Sequence, residues 1–345
     1  MTYIPPSVRA QIAEQVKTEV MAKARDESWA APRSLPEWAT RIRITGDVRV
    51  RGEGIYYPSG NDNTGAFPNF NAINTGNPID ISESGNAANP YPRYDTDQDR
   101  DRFRLRMRVG LDADLSDGFN AGVRLATGDT ATPVSTNQTF GGSGGDFSKY
   151  AVWLDRAFIS YQPDASLALN VGRFDNPYFS PTELVWDKDL GFDGVAIRAK
   201  HRLSSNVVPF AVAGAFPIFN SNLDFATNQD DKFKSDDKYL YGGQVGVAWT
   251  PDPDVGVRVA AAYFDFDNVK GEESSPCTVV NASTSCDTDL SRPSFAQRGN
   301  TYMPLRNIVS NAQNNFNKSL QYQYYGLASN FEDLVLTGQV DLAHF

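Results

Sequence analysis

Arg102, Arg104, Arg106 and Arg108 recur at every second position, and Arg43, Arg49, Arg51 and Arg124 occupy the same polar phase of neighbouring segments. Arg198, Lys200 and Arg202 repeat the pattern farther along. Guanidinium groups at that spacing can attract anions, since rows of like charge along a narrow low-dielectric wall focus the field. A second reading competes with the first. The chain holds 42 Asp and Glu against 32 Lys and Arg, enough carboxylates to pair with every arginine. Paired charges would produce a transverse field in place of simple anion attraction. The formal net charge of -10 argues against nucleic-acid binding through a basic surface.

Other residue types with chemical potential are sparse. The two histidines, His201 and His344, have no Ser or Cys that the sequence pairs with them, so no catalytic site is expected. Asp95, Asp97, Asp99 and Asp101 offer oxygen ligands for Ca²⁺ but lack the Gly and closing Glu of a calcium loop. They are expected to form a solvated acidic loop, and neither metal nor cofactor is expected. The glycine-rich 141–145 stretch opens no helix and is expected to be a flexible loop, not a phosphate cradle. Cys277 and Cys286 lie close together in a Ser/Thr/Asn-rich segment, and a disulfide in an oxidising compartment is expected.

The elements that carry the arginines explain their spacing. Opposite the ladder, Phe103, Leu105, Met107, Val109, Leu111, Ala113 and Leu115 alternate without a break. A period of two over that length specifies a strand with one apolar and one cationic face. The same alternation runs from Arg41 to Arg51, from Phe119 to Leu125, and through about 150–162, 167–174, 193–202, 207–217, 238–250, 255–266, 319–330 and 334–345. Around Asp155 and Arg156 the phase is ambiguous, and Ala157, Ile159 and Tyr161 are expected to face outward. Leu334, Leu336, Gly338, Val340 and Leu342 are expected outward in the last strand. No run reaches the ~18 apolar residues of a spanning helix.

Short turns are expected at 116–118, 163–166, 203–206, 251–254 and 331–333. Long polar loops are expected near 55–98, 130–149, 175–192, 218–237 and 267–318. Strict alternation of short and long connections suits an antiparallel transmembrane β-barrel, with short periplasmic turns and long extracellular loops. Phe119, Tyr161, Trp249 and Phe331 beside short turns, and Phe103, Tyr241, Tyr263 and Phe216 beside long ones, are expected as interfacial girdles. About eleven strands are visible, an odd number that leaves the last strand running outward, so an incomplete barrel of about sixteen strands is expected. Residues 1–38 are expected as a periplasmic segment whose amphipathic helix, Pro5 to Asp26, packs Val8, Ile12, Val16 and Val20 on its own protein; residues 39–345 are expected as the barrel. No signal peptide precedes Thr2, so processing or a fragment is expected.

These segments resemble a known family. PPSVRAQIAEQVKTEVMAKARDESWAAP leading into RIRITGDVRVRGEG, RFRLRMRVGLDADLSDGFNAGVRLATGD, LALNVGRFDNPYFSPTELVWDKDLGFDGVAI and QRGNTYMPLRNI are similar to the putative porins of Gram-negative outer membranes. The resemblance runs from about Tyr3 to Phe345 and implies outer-membrane location and passive solute diffusion, with no residue-level site to transfer. Family members start earlier and continue farther, which favours truncation here. The expected partners are outer-membrane lipid and lipopolysaccharide, and small hydrophilic solutes or anions. Porins often form homotrimers, though no periodicity here identifies an interface. Asp175, Glu183 and Asp187 on 175–192 are the candidates for an inward constriction loop, as is the 267–318 loop with its two cysteines. An adhesin or receptor acting through its long loops is the rival expectation; an outer-membrane hydrolase is disfavoured by the lack of a histidine site.

Overall fold

The computed structural model describes residues 6–26, 37–128, 132–142, 144–220 and 237–343. Ten long strands follow one another in sequence order through one antiparallel sheet, which the two-residue strand Gln138–Thr139 extends beside the second. They are β1 (Ile42–Ile55), β2 (Arg100–Ser116), β3 (Phe119–Thr127), β4 (Val152–Tyr161) and β5 (Leu167–Phe174). Then come β6 (Phe192–Lys200), β7 (Val207–Phe219), β8 (Lys238–Asp252), β9 (Val255–Asp267) and β10 (Phe331–Leu342).

The period-two pattern sorts these strands into two faces. Ile44 is 75% exposed, Val48 71% and Leu336 78%, and Phe103, Leu111, Val123, Leu154, Ile197 and Val245 share their face. A face this apolar and this uncovered is unsuited to water and matches the outer surface of a barrel wall. Leu334, Val340 and Leu342 lie there as expected, and so does Ile159. Phe119 and Tyr161 stack at 4.5 Å beside the short turns.

The connections segregate by length. The short ones (117–118, 162–166, 201–206 and 253–254) lie at one end, and the long ones (56–99, 175–191, 268–330 and the described part of 128–151) at the other; most of the expected 218–237 loop lies outside the described residues. The tightest turn uses positive φ at Ser116, Asp117 and Gly118. A side chain at Gly118 would place its Cβ 2.4 Å from the Gln162 carbonyl oxygen, so the turn needs glycine there.

Segment 319–330 departs from expectation and is not a wall strand. Its aromatic residues pack into a cap built from the two longest loops. Tyr322–Gln323 pairs with Ile79–Asp80, while Tyr325–Leu327 pairs with Tyr302–Pro304. Tyr324 joins Ile73 and Leu305 in a shared core. The proposed short turn at 331–333 is therefore absent: Phe331 starts β10 at the long-loop end, opposite Phe266, and Leu342 ends it opposite Val255. The tenth strand runs back toward the short turns. The cap joins loops that leave opposite edges of the sheet, through Asn74 to the Pro293 carbonyl and from the Tyr325 N–H to Asn74. β1 and β10 do not pair, so the sheet is not closed.

Cys277 and Cys286 form the expected disulfide within this cap. The N-terminal helix spans Pro6–Asp26, but Ile12, Val16 and Val20 are about half exposed. These three do not pack on the described part of the protein, contrary to expectation, and the helix's apolar residues drift around its axis instead of forming one continuous face; the Val8 side chain lies outside the described residues.

Candidate functional site

The arginine ladder lies on the face opposite the apolar one. Facing rungs of β1 and β2 pair Asp47 with Arg108, Arg49 with Arg106, Arg51 with Arg104 and Glu53 with Arg102. The two central rungs thus oppose like charges, an unfavourable pairing unless carboxylates intervene. Asp47 contacts Arg108 at 2.7 Å and Arg106 at 2.8 Å. Glu53 serves Arg102 at 2.5 Å, Arg51 at 3.0 Å and Arg104 at 3.5 Å. Arg49 donates to the Asn137 side-chain oxygen at 2.7 Å, and Arg104 donates to the Asn137 carbonyl at 3.1 Å. Arg43 reaches Asp112 at 3.5 Å near the short-turn end, where both are exposed.

A β-bulge builds the next part of the wall. Arg124 pairs with Arg156 and Leu125 with Leu154, leaving Asp155 as the extra residue. The bulge turns Asp155 and Arg156 inward together, which is why the local phase cannot be read from alternation. Both are essentially fully buried. Arg156 donates to the Asp155 carboxylate at 2.8 Å, Arg124 at 2.5 Å. The Asp175 carboxylate accepts from Arg156 at 2.7 Å and from Arg124 at 3.0 Å. Arg173 reaches Asp193 at 2.5 Å and the Asp155 carbonyl at 3.0 Å. Gly191 lets these guanidiniums approach, since a Cβ there would lie 2.7 Å from Arg173 and 2.8 Å from Arg156.

The 175–191 loop folds onto this inner face. Its seat is aromatic, formed by Phe174, Phe192, Phe216 and Phe264 around Tyr178. Tyr178 meets Phe264 edge-on at 4.9 Å, and Trp186 meets the same ring at 5.0 Å. The buried Gln244 side chain mimics a strand partner, accepting the Phe179 N–H at 2.7 Å and donating to its carbonyl at 3.0 Å. At the loop's far end, Asp189 accepts from the Thr136 hydroxyl at 3.1 Å and sits 3.5 Å from Arg108. Arg156 caps the Leu190 carbonyl at 3.1 Å.

The loop's ionisable groups respond to these contacts. Burial disfavours ionisation of Asp175, but Arg156 and Arg124 outweigh it and hold the carboxyl below its ordinary range. The Lys188 hydrogen bond, at 2.8 Å, lowers Glu183. Burial raises Asp187, helped by the charges of Asp189 and Glu183 and opposed by the Asp189 N–H. Burial alone raises the Tyr178 phenol.

Of the sequence candidates, the structure brings Arg49, Arg51, Arg102, Arg104, Arg106, Arg108 and Arg124 onto one wall and adds Asp175 to it. Arg198 and Lys200 lie on the same face of β6, exposed and without an ion pair among the described residues. Arg202 falls in the 201–206 turn, because β6 ends at Lys200, and is not part of the wall. Glu183 and Asp187 stay within their loop and do not touch the ladder. Phe216 is buried in the aromatic seat, not in a girdle, and Phe331 lies at the long-loop end. His201 sits in the exposed turn; His344 lies outside the described residues. Sequence reasoning missed Asp155, Arg156, Tyr178, Asp189 and Gln244. The one available signal was phase, since Phe192, Phe216 and Phe264 fall on the supposedly polar side of clean strands.

The family model described as "Putative porin" matches residues 1–345. No curated protein matches the chain.

Proposed function

The chain belongs to this porin family over residues 1–345, and from that premise we propose that it is an outer-membrane channel passing small hydrophilic solutes passively, with a preference for anions. The short turns face the periplasm in this reading, with the N-terminal helix on that side, and the interlocked long loops face outward. Lipid and lipopolysaccharide surround the apolar face, and the assembly is a homotrimer. No bond is made or broken.

One observation carries the anion preference: the carboxylates are set into the arginine wall and do not offset it. Arg49, Arg51, Arg102, Arg104, Arg106, Arg108, Arg124, Arg156 and Arg173 are nine positive charges. They meet six carboxylates: Asp47, Glu53, Asp155, Asp175, Asp189 and Asp193. Three positive charges remain; elsewhere on the same face Arg43, Arg198, Lys200 and Arg258 are balanced in number by Asp112, Asp114, Asp333 and Asp341, so the excess stays at three. The acids at the outer mouth are exposed and act over about a Debye length of 8 Å, whereas charges on a narrow wall are screened less.

A rival reading, a receptor or adhesin, draws support from the cap, which has its own core, disulfide and buried Arg306–Asp289 pair at 2.6 Å. Conductance of purified protein in planar bilayers separates the two. Stable unitary steps are expected of the channel, and a silent membrane would favour the receptor.

A further inference from the structure

The excess charge is concentrated at one end of the ladder. Arg49, Arg51, Arg102 and Arg104 have a single carboxylate between them, Glu53. Arg49 has no carboxylate partner among the described residues, and its only side-chain acceptor is the neutral amide oxygen of Asn137. The Nε atoms of Arg49, Arg102 and Arg104 are buried without an acceptor. Like-charged rungs at strand-pair distance repel, and the wall's other arginines escape this by having carboxylates within reach. Arg106 and Arg108 share Asp47, while Arg124 and Arg156 share Asp155 and Asp175.

We propose that this half of the ladder is a binding station for one small oxyanion: a carboxylate, phosphate or sulfate group on an entering solute. The chemistry matches. Guanidinium planes present paired N–H donors at the spacing of two oxyanion oxygens, and the added negative charge relieves the like-charged rungs. Arg51 is the accessible contact, with its side chain 43% exposed. Arg49 and Arg104 form the wall behind it, tied to Asn137. The station lies toward the long-loop end of β1 and β2, so a solute arriving from outside meets it before Asp47. The role of the station in uptake rests on the channel reading, but its ability to bind does not.

The test is isothermal titration of inorganic phosphate into the folded protein in detergent, alongside bilayer conductance in phosphate. Saturable binding of one phosphate per chain is expected, with current that saturates as phosphate rises. The double variant R49Q/R51Q should weaken binding at least about tenfold, while R258Q, on β9 far along the sheet, should leave it unchanged. Asn137→Asp offers a second route that adds an ion pair to Arg49 and so preserves the fold; it should abolish phosphate binding. A conducting protein that shows no saturable binding overturns the station. So does equal weakening by R258Q, or retained binding in N137D. Phosphate binding by a protein silent in bilayers would remove the channel and keep the station.

Discussion

Tyr178 links the loop to the wall, and its two simplest substitutions should move stability in opposite directions. The ring is 5% exposed and lies 4.9 Å from Phe264 and 6.3 Å from both Phe192 and Phe216. Tyr178→Ala empties that socket, and large-to-small aromatic changes in a packed core cost about 3–5 kcal/mol. Tyr178→Phe keeps the ring and removes only the hydroxyl, which is buried and has no hydrogen-bond partner. An unsatisfied buried hydroxyl costs roughly 1–3 kcal/mol. Its removal also opens a small void, since Gly214 and Gly242 leave just the space the phenol oxygen fills. The expected net gain is about 1 kcal/mol. Urea unfolding of protein reconstituted in lipid vesicles measures both, and Trp186 provides the fluorescence signal because it packs on the same cluster. Tyr178→Ala at wild-type stability would refute the aromatic seat. Loss of more than about 1 kcal/mol in Tyr178→Phe would show that the hydroxyl has a partner.

Replacing Arg156 by Met should cost about 3–5 kcal/mol, because buried Asp155 then keeps only Arg124 as an ionic partner; the same unfolding assay checks it. Replacing both cysteines by serine should lower the local stability of the cap by about 2.7 kcal/mol for a cross-link nine residues apart, read as faster proteolysis of 268–330 with an unchanged barrel. The pH responses of Asp175 and Asp187 should have opposite sign. Asp175 titrates low in the folded loop, so its stabilisation is complete above the ordinary carboxyl value and disappears as pH falls through its lowered one. Asp187 titrates high, so the loop loses stability as pH rises from the ordinary value through the raised one. Asp187→Asn should therefore stabilise at neutral pH and match wild type in acid, as measured by urea midpoints across pH.

The strands were legible because lipid and lumen impose a strict period of two, and Phe103–Leu115 against Arg102–Arg108 shows it without interruption. The long-short asymmetry of the connections was legible for the same reason, since turn residues punctuate the pattern. The failures have specific physical causes. At Asp155–Arg156 a bulge inserts one residue and shifts the phase, which alternation cannot register. In 319–330 the tyrosines imitate strand periodicity, but the residues they pack against, Ile73 and Leu305, are distant in sequence. Phe192, Phe216 and Phe264 share the phase of Arg198, so alternation alone does not separate lumen wall from loop seat. Part of that face is a seat for a loop, and only the fold shows which part. Arginine–carboxylate pairing is legible in kind, but that Asp47 and Glu53 each serve several arginines while Arg49 meets only Asn137 among the described residues depends on strand register, which composition does not carry.

On the proposed reading, the excess of arginine over carboxylate on the inner wall gives this family member a preference for anions. The most direct measurement is the reversal potential of single channels under a tenfold KCl gradient at neutral pH. A reversal potential displaced toward the chloride equilibrium potential is the predicted result. Displacement toward the potassium potential would contradict it and show that the carboxylates govern the pore.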